Sequence, residues 1–211
     1  MAKGTVVIDP GHGGATMIGN SSPNNATSPS GVLEKNVTLR VGFLLREALA
    51  EAAHVGNHDV EVVMTREADV NLGLNARANV AKANDADLFL SIHCNASDNH
   101  NARGVETWIR PKAVNPNHAA DKAFAARIQR AVLGAIQAHD PNTKDRKVKE
   151  KPLGVLRDDQ LAKKTRACLV ELEFIDVGVV DVLLNVGPNS PQVRSDIAKA
   201  IAGAIIQELA G

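Results

Sequence analysis

Aromatic residues are scarce in this chain, making up 2% of its 211 residues, with no tyrosine and a single tryptophan. Proteins that bind single-stranded nucleic acid stack the bases on aromatic side chains, so this scarcity counts against that class. An excess of one charge is also lacking, because 24 basic residues balance 24 acidic ones. The balance allows a local basic patch but not a general polyanion-binding surface. We therefore expect no nucleic-acid partner.

Long apolar runs and a cysteine framework are missing as well. No segment approaches the roughly 20 apolar residues that span a bilayer, so no membrane span is predicted. The opening residues Met1–Gly4 show no signal-peptide pattern, so either a leader has been removed or the protein is made without one. Two cysteines cannot form a disulfide framework, and Cys94 and Cys168 are interpreted as small buried thiols.

The composition that remains is that of an ordinary globular domain. Hydrophobic residues make up 44% of the chain and charged residues 23%. The length suits one well-formed core, and neither an internal repeat nor a domain boundary is evident. We expect a single domain over residues 1–211, present as a monomer.

Strand-like and helix-like segments alternate along the chain. Short β-branched or apolar runs predict strands at 5–9, 59–65, 87–93, 104–109, 154–156 and 167–174. Apolar residues at helical spacing predict helices at 37–53, 72–84, 117–139, 179–184 and 190–209. This alternation predicts an α/β fold, with a twisted, largely parallel (mixed) sheet of about six strands and helices on both faces.

Two segments are predicted to be loops. Residues 15–31 are rich in Gly, Asn, Ser, Thr and Pro, which indicates a long surface loop at the rim of a cleft. Residues 142–151 hold five Lys or Arg and two acidic residues, and we interpret them as a second, mobile loop. This basic loop either contacts a substrate or is simply a solvated linker.

Two predicted strands end in a histidine. The run Val6–Asp9 stops at a Pro-Gly turn, and His12 follows between glycines, which leave room for close approach of a ligand. His93 ends the strand at 87–93. Because α/β folds bind ligands at the carboxyl ends of their strands, the two histidines predict a metal site there. Asp9 is expected to support the site by orienting His12 or by holding the turn. Arg66 and Arg77 are expected to be structural, forming ion pairs or hydrogen bonds beneath the site.

A hydrolytic zinc site needs a third ligand and a proton-transferring group. Glu34 precedes the first helix and is a candidate ligand, although its pattern alone favours simple stabilisation by the helix dipole. Glu171 and Glu173 interrupt the apolar strand at 167–174. A carboxylate in a buried strand is costly unless paired or near a metal, which favours a site role over solvation at the sheet edge. The other five histidines are interpreted as structural.

An ordered set of motifs along nearly the full length resembles the zinc-dependent N-acetylmuramoyl-L-alanine amidases of the Amidase_3 type. The set comprises residues 8–14 (IDPGHGG), 34–36 (EKN), 64–66 (MTR), 86–96 (ADLFLSIHCNA), 104–108 (GVETW), 155–157 (VLR) and 169–175 (LVELEFI). The resemblance implies that His12, Glu34 and His93 are zinc ligands and that Glu171 is catalytic. This chain departs from the family at Glu173, where glycine is usual, and at Asp176-Val177, where a Ser-Asn-like pair is usual. The carboxylate of Glu173 is expected to raise the proton affinity of Glu171, to contact the substrate or simply to face solvent.

The resemblance also implies a function. We expect a peptidoglycan hydrolase that uses Zn²⁺ to cleave the amide between N-acetylmuramic acid and L-alanine of the stem peptide. Its place of action would be extracytoplasmic, in the periplasm or cell wall, or the protein would be a phage-type lysin that reaches the wall by another route. The alternatives are a catalytically silent wall-binding or regulatory protein and a zinc peptidase of related fold.

Some larger members of this family carry an extra helix that plugs the active site. Here about 44 residues separate Trp108 from Leu153, and one helix with the basic loop accounts for them. We therefore expect no helix across His12 and His93.

Overall fold

Six strands form one sheet in the computed structural model, which describes residues 1–211. They are β1 (Lys3–Pro10), β2 (Asp59–Met64), β3 (Leu88–Asn95), β4 (Val105–Ile109), β5 (Asp145–Glu150) and β6 (Arg166–Phe174). The order across the sheet is β2-β1-β3-β6-β4-β5. Every neighbouring pair is parallel except β4 and β6, which are antiparallel. The predicted largely parallel, mixed sheet of six strands is confirmed.

Helices cover both faces of the sheet. The five α-helices are α1 (Glu34–Gly56), α2 (Leu74–Ala83), α3 (His118–Gln137), α4 (Gly178–Asp181) and α5 (Ser190–Leu209). One core cluster joins α1, α3 and α5 to side chains such as Val6 and Ile8 of β1. A smaller cluster on the other face packs α2 against Val7 and Phe89. Successive side chains of a strand point to opposite faces, so β1 contributes to both clusters.

The basic segment 142–151 is not the loop that the sequence predicted. Residues Asp145–Glu150 form β5, an edge strand that pairs in parallel with β4 through Val148 and Thr107. An edge strand keeps much of its surface in water, so charged residues at its exposed positions concealed the strand pattern.

The strand predicted at 154–156 is also wrong. Gly154–Leu156 forms a 3₁₀ turn, and Val155 and Leu156 are buried in the smaller core cluster beside α2. A three-residue apolar run carries no periodicity, so burial alone could not distinguish a strand from a turn.

The remaining predictions agree with the structure to within a few residues at each end. The helix expected at 179–184 consists of α4 followed by a π-helical turn, Val182–Val186. Residues 15–31 form a loop with only isolated bridges, such as that between Ile18 and Ser21. None of the helices combines the length and apolar character that crossing a bilayer requires.

Candidate metal centre

The carboxyl ends of three adjacent parallel strands bring the predicted site residues together. His12 follows β1, while His93 and Glu171 lie near the ends of β3 and β6. His93 is directly opposite Glu171 in the pairing of β3 with β6. Glu34 is the first residue of α1 and completes the group. Four residues that are distant in sequence therefore meet at one edge of the sheet, where α/β folds place their ligands.

Three potential metal ligands converge on one point. Glu34 Oε1 lies 3.2 Å from His12 Nε2 and 3.0 Å from His93 Nδ1. The donor atoms of the three side chains all lie within 4.8 Å of one another. The two imidazole rings are edge-to-face, with centroids 4.8 Å apart. Two nitrogens and one carboxylate oxygen at this spacing form a donor set that suits zinc.

The carboxylate of Glu34 is buried, yet it remains ionised. Its Oε1 accepts a hydrogen bond from the Cys94 backbone N–H and its Oε2 accepts one from the Ala26 N–H, both at 3.0 Å. Burial alone would raise the pKa of Glu34, but hydrogen bonds with His12 and His93 outweigh it and lower the pKa to about 2. For His12, burial acts to lower the pKa, while the contact with Glu34 raises it above its usual value.

The turn that carries His12 is fixed by its neighbours. His12 has a left-handed backbone, with φ of 61°, and its carbonyl accepts a hydrogen bond of 2.7 Å from Arg77 Nη2. Its Nδ1 contacts the carbonyl of Ser22 at 3.0 Å and the Ser22 hydroxyl at 3.1 Å. At Gly11, a Cβ atom would overlap the His93 ring, so glycine is what allows the two histidine segments to approach.

Asp9 holds the turn and does not orient His12, which decides between the two roles predicted for it. Its carboxylate accepts hydrogen bonds from Thr65 Oγ1 (2.6 Å), Ser91 Oγ (2.7 Å) and Arg77 Nη1 (2.9 Å). Arg66 donates to the carbonyls of Pro10 and Gly11 at 2.9 Å each. The structural roles predicted for Arg66 and Arg77 are thus confirmed. Ser22, which contacts the His12 ring, was not predicted.

Glu171 carries an unpartnered oxygen. Its Oε2 is buried and has no hydrogen-bond partner in the protein. Burial, followed by the charges of Glu34 and Glu106, raises the pKa of Glu171 well above its usual value. A carboxyl group of this kind, close to a cluster of metal donors, is suited to accepting and returning a proton.

Glu106 is a further buried carboxylate that the sequence reasoning missed. It lies opposite Glu171 in the antiparallel pairing of β4 with β6 and is 3% exposed. Asn95 Nδ2 donates to it at 2.7 Å, and Arg146 and Lys149 form ion pairs with it. The signal that could have found it is the one that drew attention to Glu171, a glutamate in an otherwise apolar strand.

Glu173 is structural, which answers the question raised by its departure from the family pattern. Its buried carboxylate accepts hydrogen bonds from the Gly104 N–H (2.7 Å), Arg103 Nη2 (3.0 Å) and Thr143 Oγ1 (3.2 Å). It thereby ties β6 to the segments that lead into β4 and β5. The second departure, Asp176, accepts hydrogen bonds from the Ser97 N–H and from His100 Nδ1. Both substitutions anchor loops.

The metal donors face an accessible cleft. A cavity of about 170 Å³ is lined by His12 and His93, by Asn20–Ser22 of the long loop and by the turn at Leu153–Val155. The side chains of the two histidines remain 11% and 16% exposed. Helix α3 packs against α5, β4 and β6 and does not lie across the histidines, as predicted. None of the other five histidines joins the metal-donor cluster.

Comparison with known proteins identifies relatives that are described as cell wall amidases. The family model described as N-acetylmuramoyl-L-alanine amidase, Amidase_3, matches residues 6–207. An uncharacterized cell wall amidase of Bacillus anthracis is 31% identical over 96% of this chain and 35% of its own length. The N-acetylmuramoyl-L-alanine amidase LytC of Bacillus subtilis is 32% identical over 81% of this chain and 29% of its own length. The chain thus spans about a third of these two relatives.

Solved structures align over almost the whole chain. An N-acetylmuramoyl-L-alanine amidase from Clostridium difficile 630 has a TM-score of 0.78 at 27% identity, covering 100% of this chain and 99% of the other. The catalytic domain of the amidase CwlV from Bacillus (Paenibacillus) polymyxa var. colistinus has a TM-score of 0.77 at 25% identity, covering 98% of each. Because a family model matches nearly every residue and these folds agree, the chain belongs to the Amidase_3 family, N-acetylmuramoyl-L-alanine amidase.

Proposed function

We propose that this chain hydrolyses the amide bond between the lactyl group of N-acetylmuramic acid and L-alanine of the peptidoglycan stem peptide. The observation that carries the proposal is the convergence of His12, Glu34 and His93 beside the unpartnered carboxyl of Glu171. Membership of the Amidase_3 family supports the choice of substrate. The three metal-ligating residues and the catalytic carboxylate of the family pattern are all present in the sequence, which argues against a silent wall-binding protein.

We propose Zn²⁺ as the metal and His12, Glu34 and His93 as its ligands. The fit is good because two imidazole nitrogens and one carboxylate oxygen are typical of catalytic zinc sites, which keep a further position for water or substrate. Glu34 is held ionised, as a ligand must be. A zinc ion held by these three residues would supply Lewis-acid chemistry, that is, polarisation of the amide carbonyl and activation of water as a nucleophile.

Glu171 would move the proton in this reaction. It accepts a proton from the attacking water as the new C–O bond forms, and it returns that proton to the L-alanine nitrogen as the C–N bond breaks. Its raised pKa favours holding the proton between these two steps. The cleft lined by His12 and His93 is bounded by the loop at Asn20–Ser22 and the turn at Leu153–Val155, and we propose that the substrate binds between these segments.

The substrate fixes where the protein would act. Peptidoglycan lies outside the cytoplasmic membrane, so we propose an extracytoplasmic site of action, reached either by export or by the release route of a phage-type lysin. The chain would work there as a monomer with peptidoglycan as its partner.

Digestion of purified peptidoglycan, combined with metal analysis, tests the proposal. We expect about one zinc per chain, new L-alanine amino groups, intact glycan strands, and loss of activity with a chelator that is reversed by zinc. A related peptidase would instead cleave stem peptides that lack muramic acid. Binding without product in the zinc-loaded protein would support the silent wall-binding alternative and contradict the proposal.

A further inference from the structure

A second pocket lies on the helical side of the molecule. It has a volume of about 240 Å³ and is lined by Val32, Asn36, Val37, Arg40, Asn185 and Arg194. It therefore lies between α1, the start of α5 and the π-helical turn Val182–Val186. No residue lines both this pocket and the cleft at the metal centre, so the reaction proposed above leaves it without a role.

Arg194 presents an unsatisfied guanidinium to this pocket. The residue is 5% exposed, and its only hydrogen bond in the protein runs from Nη1 to the Leu184 carbonyl. Its Nε is buried and has no partner. A guanidinium carries five N–H donors, and burying a charge without a counter-charge is costly. Burial and, after it, the nearby charge of Arg40 lower the pKa of Arg194.

The other two buried arginines of this chain, Arg77 and Arg66, are satisfied. Arg77 pairs with Asp9. Arg66 lacks a close carboxylate, but its nitrogens donate to the carbonyls of Pro10, Gly11, Lys35 and Ala68. Arg194 and Arg40 share one pocket, and neither forms an ion pair with an acidic residue. The lining of this pocket thus carries two positive charges and no acidic residue.

We propose that this pocket binds a phosphate group. Two guanidinium groups match the charge of a phosphate, and their N–H donors match its several oxygens in charge-assisted hydrogen bonds. Asn36 and Asn185 line the same space. The Asn36 amide offers further donors, while Asn185 Nδ2 already donates one of its two N–H groups to Asp181 Oδ1. The phosphate could be free orthophosphate or the phosphodiester of an anionic polymer, and the chemistry of recognition is shared.

A purely structural role for Arg194 explains fewer of these observations than phosphate binding does. In that explanation Arg194 only caps the Leu184 carbonyl, which the π-helical turn leaves without a regular partner. It explains one of the N–H groups of Arg194 and gives no role to Arg40 or to the pocket. The two explanations differ in whether the pocket takes up an anion.

Titration of the full chain with sodium phosphate, at constant ionic strength set with sodium chloride, tests the proposal. Nuclear magnetic resonance signals of the Asn36 and Asn185 side-chain amides report on the pocket, and those of His93 report separately on phosphate at the metal centre. We expect saturable shifts at the two asparagines. Parallel titrations use glycerophosphoglycerol, a phosphodiester, and sodium acetate, a carboxylate.

Variants localise the binding. Arg40 is exposed, so Arg40→Gln should fold normally and weaken phosphate binding about tenfold through loss of a charge-assisted contact. Arg130→Gln, a matched change of an exposed arginine on α3, should leave it unchanged. Arg194→Gln should abolish it where this variant folds.

Each result bears on the proposal. Binding of orthophosphate but not of the diester would indicate that the pocket takes a free or terminal phosphate. Equal binding of the diester would indicate a phosphodiester polymer. Both results would support the proposal. Acetate binding as tightly as phosphate, the absence of saturation at the two asparagines, or equal losses in Arg40→Gln and Arg130→Gln would overturn it.

Discussion

Glu171 is the residue on which the proposed chemistry depends, since its buried Oε2 has no partner in the protein. We predict that Glu171→Gln lowers kcat on muramoyl peptides by about 10²–10⁴-fold, the usual contribution of general acid–base catalysis. Zinc binding should persist because all three proposed ligands remain. Steady-state kinetics with metal analysis checks this, and Glu61→Gln, an exposed change on β2, is the control. Near-normal turnover of a zinc-loaded Glu171→Gln would show that another group moves the proton.

The ligand set makes a second prediction at the scale of single residues. His93→Ala removes one of three converging donors, so zinc affinity should fall at least about 100-fold, in line with the sensitivity of metal sites to changes around the ion. Titration with a chromophoric chelator measures the affinity. His139→Ala is the matched control, because His139 pairs with Asp196 outside the cluster. Unchanged affinity in His93→Ala would exclude the proposed centre.

Residues at strand ends were more predictable than residues brought in by loops. His12 and His93 follow apolar runs, so local sequence places them at the edge of a parallel sheet. Glu34 was ambiguous on its local pattern, because a glutamate in a first helical turn is common for reasons unrelated to metals. Ser22 lies in an irregular loop, and only the folded chain brings it within 3.1 Å of the His12 ring.

Among the elements, the junction of β4, β5 and β6 depends on Glu173. We predict that Glu173→Gly, which restores the usual family residue, destabilises this chain by about 2 kcal/mol, because it leaves the Gly104 N–H without its partner and removes one of the two carboxylates that pair with Arg103. Urea unfolding measures the loss. Asp159→Asn, which removes an exposed ion pair with Arg157, is the control and should change little. A neutral Glu173→Gly would mean that water and the existing ion pair between Arg103 and Asp140 make up for the lost carboxylate.

Elements with a strong apolar pattern were predicted correctly, whereas a strand with a largely exposed, charged surface was not. Helix α1 buries Val37, Val41, Leu45 and Leu49 at helical spacing, and its existence was evident. Strand β5 carries charged residues because it is an edge strand, so composition suggested a loop. The composition of a segment indicates how exposed it is to solvent, but it does not indicate whether the segment pairs in a sheet. Strand β5 is both exposed and paired, so its composition was misleading.

At the scale of the whole molecule, stability should respond to the titration of a buried acid. Burial is the main cause that raises the pKa of Asp121 from 3.8 to about 6, against hydrogen bonds from the Ala167 N–H and Asn115. The folded state therefore holds this proton more tightly than the unfolded state. The resulting stabilisation is present below pH 3.8 and is lost as the pH rises through about 6.

Replacing Asp121 isolates this effect. In Asp121→Asn the group cannot titrate. The free energy of unfolding of the variant should therefore gain on that of the parent by about 2 kcal/mol between pH 4 and pH 7, at about 1.36 kcal/mol for each pKa unit. Urea unfolding of both proteins across this range measures the difference. Parallel pH profiles would show that Asp121 is no more basic than an exposed aspartate.

The topology of the whole molecule was only partly accessible from sequence. Alternating strands and helices predicted parallel pairing, and four of the five strand pairs are parallel. The antiparallel pairing of β4 with β6, through Glu106 and Glu171, joins residues far apart in the chain. Such a long-range pairing has no local signature, so the sequence did not reveal that Glu106 lies opposite Glu171.

The hydrogen bonds around Asp9, Arg66 and Arg77 have a consequence for how the protein would respond to loss of the proposed metal. They fasten the His12 turn to the sheet through protein atoms alone. Unlike small zinc domains, which collapse without their ion, this scaffold should keep its shape after chelation. We predict that the circular dichroism spectrum at 25 °C is unchanged after chelation and that the site refills completely when cobalt is supplied. One preparation could then be stripped of metal and reloaded with a coloured reporter ion.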